Sequence, residues 1–207
     1  NARALKSREM RRRGLQFAAP RVTRLGGTVA LVAVDPTALP LEGVLAAQQV
    51  DEARLAHFRT HSLGGVPADD EARRARIRQA YADACRAVPD HVLARALDGA
   101  AASPPARWLL VKHLTSQLGM HALLCHAIGV EAQQPHAFAL SPHHGTLTVV
   151  GADAAPLKVG LPFRLTRNLQ RLATPFGIDG AFAGAFLATA DCLADEAKLP
   201  MGDWLDY

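Results

Sequence analysis

The stretch from Ser103 to Ile128 constrains this chain more than any other. Ser103 is a good helix cap, and Pro104 follows at the first helical position, where a missing N–H costs nothing. Trp108, Val111, Leu114, Leu118 and Cys125 then share one face, while Leu110, Leu123, Leu124 and Ile128 widen the apolar surface. A helix apolar over so much of its circumference has to be buried. The spacing therefore predicts the central helix of a domain. It does not read as a membrane span, because Lys112, His113, Gln117 and His121 interrupt it.

The rest of the chain supplies what could surround such a helix. Pro20 to Leu25 and Thr28 to Val34 read as short strands joined at Gly26-Gly27, a hairpin signal. Asp35-Pro36 ends that pattern, and Pro40 precedes a helical stretch from Leu41 to Gln48. Gly64-Gly65 and Pro67 mark a loop, after which Asp69 or Asp70 can cap a helix. On that helix Ile77, Tyr81, Ala84, Cys85 and Val88 recur on one face, and Arg73, Arg74, Arg76 and Arg78 form a solvated one. A further helix restarts at Pro89-Asp90 and ends near Gly99. His136 to Leu140 and Thr146 to Val150 are strand candidates on either side of Ser141–Gly145. Thr166 caps a helical piece, 167–172, that stops before Pro175, and a last helix follows Asp179 with Phe182, Phe186, Ala190 and Leu193 at helical spacing. Strands, helices, a small hairpin and helices again predict an α+β fold rather than an alternating parallel one.

With 207 residues, 49% hydrophobic and 20% charged, the chain is long and apolar enough for one real core. Its three cysteines, Cys85, Cys125 and Cys192, are far apart and suit a reducing compartment. The chain opens on Asn1 rather than methionine, and we expect it to be a piece of something longer. The net charge of +4 is concentrated in residues 1–24, where eight arginines and lysines face the single acid Glu9. Arg11, Arg12 and Arg13 are the centre of this candidate basic contact surface. The ordinary reading is a solvated segment; nucleic-acid contact is the alternative, and no aromatic stacking platform accompanies it.

Catalytic signatures are sparse. The nine histidines include His121 four residues before Cys125, and the pair His143-His144, yet no HExxH or paired-cysteine spacing accompanies them. No GxSxG, phosphate loop or dinucleotide fingerprint is present. Between residues 126 and 152 the only carboxylate is Glu131.

Leu161-Pro162-Phe163-Arg164-Leu165-Thr166-Arg167-Asn168 resembles the PFRLT segment that follows the metal-binding DFG loop in phosphatidylinositol 3-kinase-related kinases. The setting resembles that family too. Residues 31–41 look like the strand and hinge joining the two kinase lobes, and 106–128 fall where the family has its long C-lobe helix. Gly177-Ile178-Asp179-Gly180 looks like the segment after PFRLT. Residues 13–22, with Phe17 and Ala19-Pro20-Arg21-Val22, are similar to the strand before the hinge in the branch of transformation/transcription domain-associated proteins. The resemblance implies a kinase-like fold, with residues 1–36 a partial N-lobe and hinge and 37–207 the C-lobe.

It also implies that the catalytic residues are gone. Laid on the family pattern, Ala132 falls at the catalytic aspartate, Ala137 at the metal-binding asparagine and Gly151 at the DFG aspartate. None carries an oxygen ligand, and phosphoryl transfer depends almost wholly on those groups. The expectation is a non-enzyme without metal or cofactor, its cleft filled by side chains such as Phe138 and Leu140. A shift of one or two residues would bring Glu131 or Asp153 nearer a catalytic position, which leaves a divergent active kinase as an alternative. The branch further implies a nuclear scaffold with no membrane contact. Its partners would be subunits of a histone acetyltransferase chromatin complex and, through a larger chain, transcription activators.

Overall fold

The computed structural model describes residues 7–18, 21–27, 29–33, 35–46, 70–87, 89–99, 101–127, 130–131, 137–143, 145–150, 153–154, 165–174 and 176–194. Among them the fold is mixed α+β, mostly helical, with small antiparallel sheets. In chain order the elements are α1 (Arg8–Arg12), β1 (Val22–Gly26), β2 (Val29–Val32), β3 (Leu39–Pro40) and α2 (Leu41–Ala46). Then come α3 (Asp70–Ala87), α4 (Val92–Asp98), α5 (Pro104–Ala127), β4 (Val130–Glu131), β5 (Phe138–Leu140), β6 (Leu147–Val149) and β7 (Asp153–Ala154). The chain closes with α6 (Arg167–Ala173), a π turn (Ile178–Phe182) and α7 (Ala183–Ala194).

The long helix is central, as its composition demands. Ser103 caps α5 by accepting the Ala106 N–H at 3.3 Å. Every residue from Leu114 to Ala122 is buried, so more than two turns are covered on all sides. One side meets β6, α6 and the π turn, and another packs along α7. Leu110, Leu114 and Leu118 join Leu93, Leu97, Leu140, Leu147, Leu172 and Phe182 in the main core. Met120 joins Met10, Leu15, Ala185, Ala188 and Cys192 in a second cluster, which fastens α1 to α7. At roughly 2 kcal/mol for each fully buried large apolar side chain, these clusters supply the main driving force.

Polar residues within the buried helix bond nearby groups, as burial requires. The Thr115 hydroxyl donates to the Val111 carbonyl at 2.8 Å and the Ser116 hydroxyl to that of Lys112 at 3.1 Å. The His121 ring bonds the Leu147 carbonyl at 2.8 Å and so ties α5 to β6.

The sheets are nested around this helix. β5 and β6 form an antiparallel hairpin, with β3 on the far edge of β5 through Leu39 opposite Leu140. β4 and β7 pair outside that hairpin, Glu131 opposite Asp153. Ala18 adds one parallel bridge to Thr148. β1 and β2 pair around Gly26-Gly27, both at positive φ, and lie exposed along their whole length.

Several sequence expectations need correction. The described residues 13–18 do not form the expected strand before the hinge: Arg13-Gly14 is a turn after α1, Leu15 to Phe17 are irregular and Ala18 makes a single bridge, while β1 starts at Val22. Helix α1 has no counterpart in the expectations. It forms because Ser7 caps it and Met10 finds a buried place against α7. The apolar stripe on α3 does not enter the core: Ile77 and Tyr81 are about half exposed, and the helix is held at its end by the Arg167 guanidinium donating to the Cys85 carbonyl at 2.9 Å. Trp108 is likewise half exposed, its ring centroid 4.4 Å from that of Phe176. The cap candidate Asp69 and the face residue Val88 lie outside the described residues, as does the end of the predicted helix at 47–48.

Candidate functional site

Of the positions singled out by the sequence, Glu131, Ala137, Phe138, Leu140 and Asp153 lie on or beside the β5–β6 hairpin. Its turn is set by Gly145, at φ +63°, which lies so close to α5 that a Cβ there would stand 2.9 Å from the Leu110 carbonyl oxygen. Glycine is required twice over, for the left-handed backbone and for the close approach. The hairpin is thereby pressed onto the central helix.

Ala137 stands at the entry to β5. It is 1% exposed, packed with Cys125 and flanked by Phe138 and Val149, and its carbonyl accepts the Val150 N–H at 2.9 Å. This methyl is part of a small apolar cluster. Ala132 and Gly151 lie outside the described residues. Glu131 and Asp153 are opposite one another as register partners of β4 and β7. Leu140 is fully buried in the main core beneath the hairpin, and Phe138 packs between that core and Cys125. Both side chains pack between the hairpin and α5.

Of the PFRLT segment, Pro162, Phe163 and Arg164 lie outside the described residues, whereas Leu165 and Thr166 are described. Thr166 caps α6, its Oγ1 accepting the Leu169 N–H at 3.4 Å. The next two residues are cross-links. Arg167 holds the end of α3, as above, and Asn168 uses both ends of its amide. Its Oδ1 accepts the Leu93 N–H at 3.2 Å and its Nδ2 donates to the Pro89 carbonyl at 3.1 Å. An amide at this position bonds a donor and an acceptor on the start of α4 at once.

Sequence reasoning underrated His121. The ring is 2% exposed, with Phe17 at a centroid distance of 5.0 Å and Phe138 edge-on at 6.3 Å. Burial holds its pKa down at about 4, and the bond to the Leu147 carbonyl opposes that only in part. His121 is thus a neutral imidazole that donates its Nε2–H, leaving Nδ1 without a hydrogen-bond partner. Four residues on, burial pushes the Cys125 thiol up, away from the reactive thiolate form. The signal that could have found this site is the run of Thr, Ser, Gln and His inside an apolar helix. Among the described residues no three His, Cys, Asp or Glu side chains converge on a metal-sized site.

Arg11, Arg12 and Arg13 lie elsewhere, on and just after α1. Glu9 pairs with Arg12 at 3.2 Å and with Arg13 at 3.7 Å. The Arg13 guanidinium crosses α7 at Gly184, where a Cβ would stand 3.0 Å from its Cζ. The three arginines line a groove shared with the first half of α5.

No protein-family model matches the chain, and no curated protein matches it. No single helix among the described residues is long and apolar enough to cross a membrane.

Proposed function

We propose that the chain is a pseudokinase: a kinase-like domain of the phosphatidylinositol 3-kinase-related class that has lost phosphoryl transfer and acts through its surfaces. Within that class we assign it to the transformation/transcription domain-associated protein branch, as part of a nuclear scaffold subunit of a histone acetyltransferase coactivator complex. The observation that carries this reading is the hairpin at Gly145 nested inside the β4–β7 pair and seated on a long buried helix. The resemblance asks for a long helix followed by such a hairpin, with catalytic positions on the segments flanking it. Those segments run through 132–137 and 150–152, and at 137 the side chain is a buried methyl. The hinge assignment for residues 31–41 is supported by β3, which joins the edge of β5.

Chemistry supports an inactive site. Magnesium and the phosphates it bridges need oxygen ligands held in place, and an alanine offers none. The remaining acids, Glu131 and Asp153, are two carboxylates without the asparagine, so a divergent kinase would still lack a ligand.

The test is affinity purification of the native protein, mass spectrometry of its companions and a kinase assay on the same eluate. Acetyltransferase and chromatin subunits in fixed stoichiometry, without magnesium-ATP turnover, are the expected result. Turnover that disappears on replacing Glu131 or Asp153 would overturn it in favour of an active kinase.

A further inference from the structure

Three hydroxyl residues of this chain stand directly before a proline: Ser103, Ser141 and Thr174. That dipeptide is what a proline-directed protein kinase reads. Its pocket after the acceptor residue takes a side chain with no N–H, where an ordinary amide would be desolvated without a partner. The proline also holds the acceptor in the extended backbone that an enzyme cleft accepts. The tertiary structure separates the three. Ser141 is 6% exposed beside a buried Pro142, and its N–H and carbonyl are tied to Thr146 and Gly145, each at 2.9 Å, inside the turn pressed onto α5. Thr174 caps the C-terminal end of α6, where its hydroxyl donates to the Gln170 carbonyl at 3.2 Å. A phosphate there would face the carbonyl end of a helix, where its charge is repelled. Ser103 lies between α4 and α5, and every residue from Ala102 to Pro105 is exposed. Pro104 and Pro105 have no N–H to tether them. Releasing Ser103 to a cleft breaks two hydrogen bonds, that of the Ala106 N–H to its Oγ and that of the Arg107 N–H to its carbonyl.

We infer that Ser103 is a phosphorylation site for a proline-directed serine kinase acting in trans, and that its phosphate draws Arg107 away from Asp98. In the step, Ser103 Oγ attacks the γ-phosphorus of ATP and its proton passes to the carboxylate base of that kinase. The bond from phosphorus to the β,γ-bridging oxygen breaks, and ADP leaves. The product keeps the capping role, because phosphate oxygens accept an N–H more strongly than a hydroxyl does. It also adds about two negative charges at pH 7, at the end of the helix where they are favourable. Arg107 stands four residues on, the neighbouring position on a helix surface. Its guanidinium pairs with Asp98, the last residue of α4, and both side chains are exposed. An exposed pair is weak, and a carboxylate is poorly placed at a helix C-terminus, so the phosphate is the stronger partner. Modification thus moves a strap from the end of α4 to the start of α5. The inference needs no part of the pseudokinase reading, since the acting kinase is a separate enzyme.

The test incubates the 207-residue chain with magnesium-ATP and a purified cyclin-dependent kinase, and maps the product by mass spectrometry. We expect a single phosphoryl group, on Ser103, and its loss in Ser103→Ala. Pro104→Ala keeps the capping serine but brings an unpaired N–H to the kinase pocket, which should slow incorporation about tenfold. Phosphorylation should raise the melting temperature of the parent, and by less in Arg107→Gln. Incorporation at Ser141 or Thr174 in preference to Ser103 would overturn the proposal. So would no incorporation where a control Ser-Pro peptide is fully phosphorylated, an undiminished rate in Pro104→Ala, or an equal rise in Arg107→Gln.

Discussion

Gly119 of α5 lies directly against the backbone of Phe182 in the π turn: a Cβ on Gly119 would overlap the Phe182 carbonyl oxygen and stand 3.0 Å from its carbonyl carbon. The obstacle is main chain, which cannot rotate out of the way as a side chain could. The crossing of α5 with the segment leading into α7 therefore depends on a missing methyl. Gly119→Ala should lower stability by about 3 kcal/mol despite alanine's better helix propensity. Urea unfolding monitored by circular dichroism measures it. An unchanged midpoint would mean that the two elements are not in contact in solution.

His121 makes stability depend on pH. Its folded pKa of about 4 lies below the ordinary 6.5, so between those values the unfolded chain binds a proton that the folded chain refuses. Its contribution is therefore fully present above pH 6.5 and is lost as pH falls through that window, on the order of 3 kcal/mol in all. His121→Gln keeps a side-chain donor for the Leu147 carbonyl but cannot titrate. Melting curves between pH 4 and 6.5 should be steeper in pH for the parent than for this variant. Equal slopes would show that another group governs acid unfolding.

Ala137 offers a test that bears on the proposed pseudokinase. If the family pattern applies, Ala137→Asn restores the amide expected at a metal ligand. Ala137 is buried with Cys125, Phe138 and Val149, so among the described residues the larger polar side chain meets an apolar cluster. We expect a loss of about 3 kcal/mol and no gain of magnesium-ATP binding, read by thermal shift with and without nucleotide. A stabilising shift with magnesium-ATP would mean that the position still opens onto a nucleotide site.

Much of the local structure was legible before any tertiary contact was known. Ser103-Pro104 starts α5, Thr166 caps α6, and Gly26-Gly27 turns the first hairpin; each is a matter of stereochemistry within a few residues. The candidate site was legible in outline. The β5–β6 hairpin follows from two short apolar runs about a glycine turn. The two cross-links of Asn168 were not legible, because an amide declares no partner until α4 is brought alongside.

What the sequence determined by itself, then, is where helices and turns begin and end, and that α5 must be interior, since an apolar circumference has no stable place in water. Which apolar faces are covered was decided only by the tertiary structure. Ile77 and Tyr81 have the same periodicity as core residues, yet both are about half exposed. Met10 sits in a basic segment that reads as solvated, and α7 supplies it with a cavity. Periodicity fixes the direction in which a side chain points from its own axis. Whether anything stands there is a property of distant chain, and so is the low pKa of His121, which arises from what Phe17, Phe138 and β6 exclude.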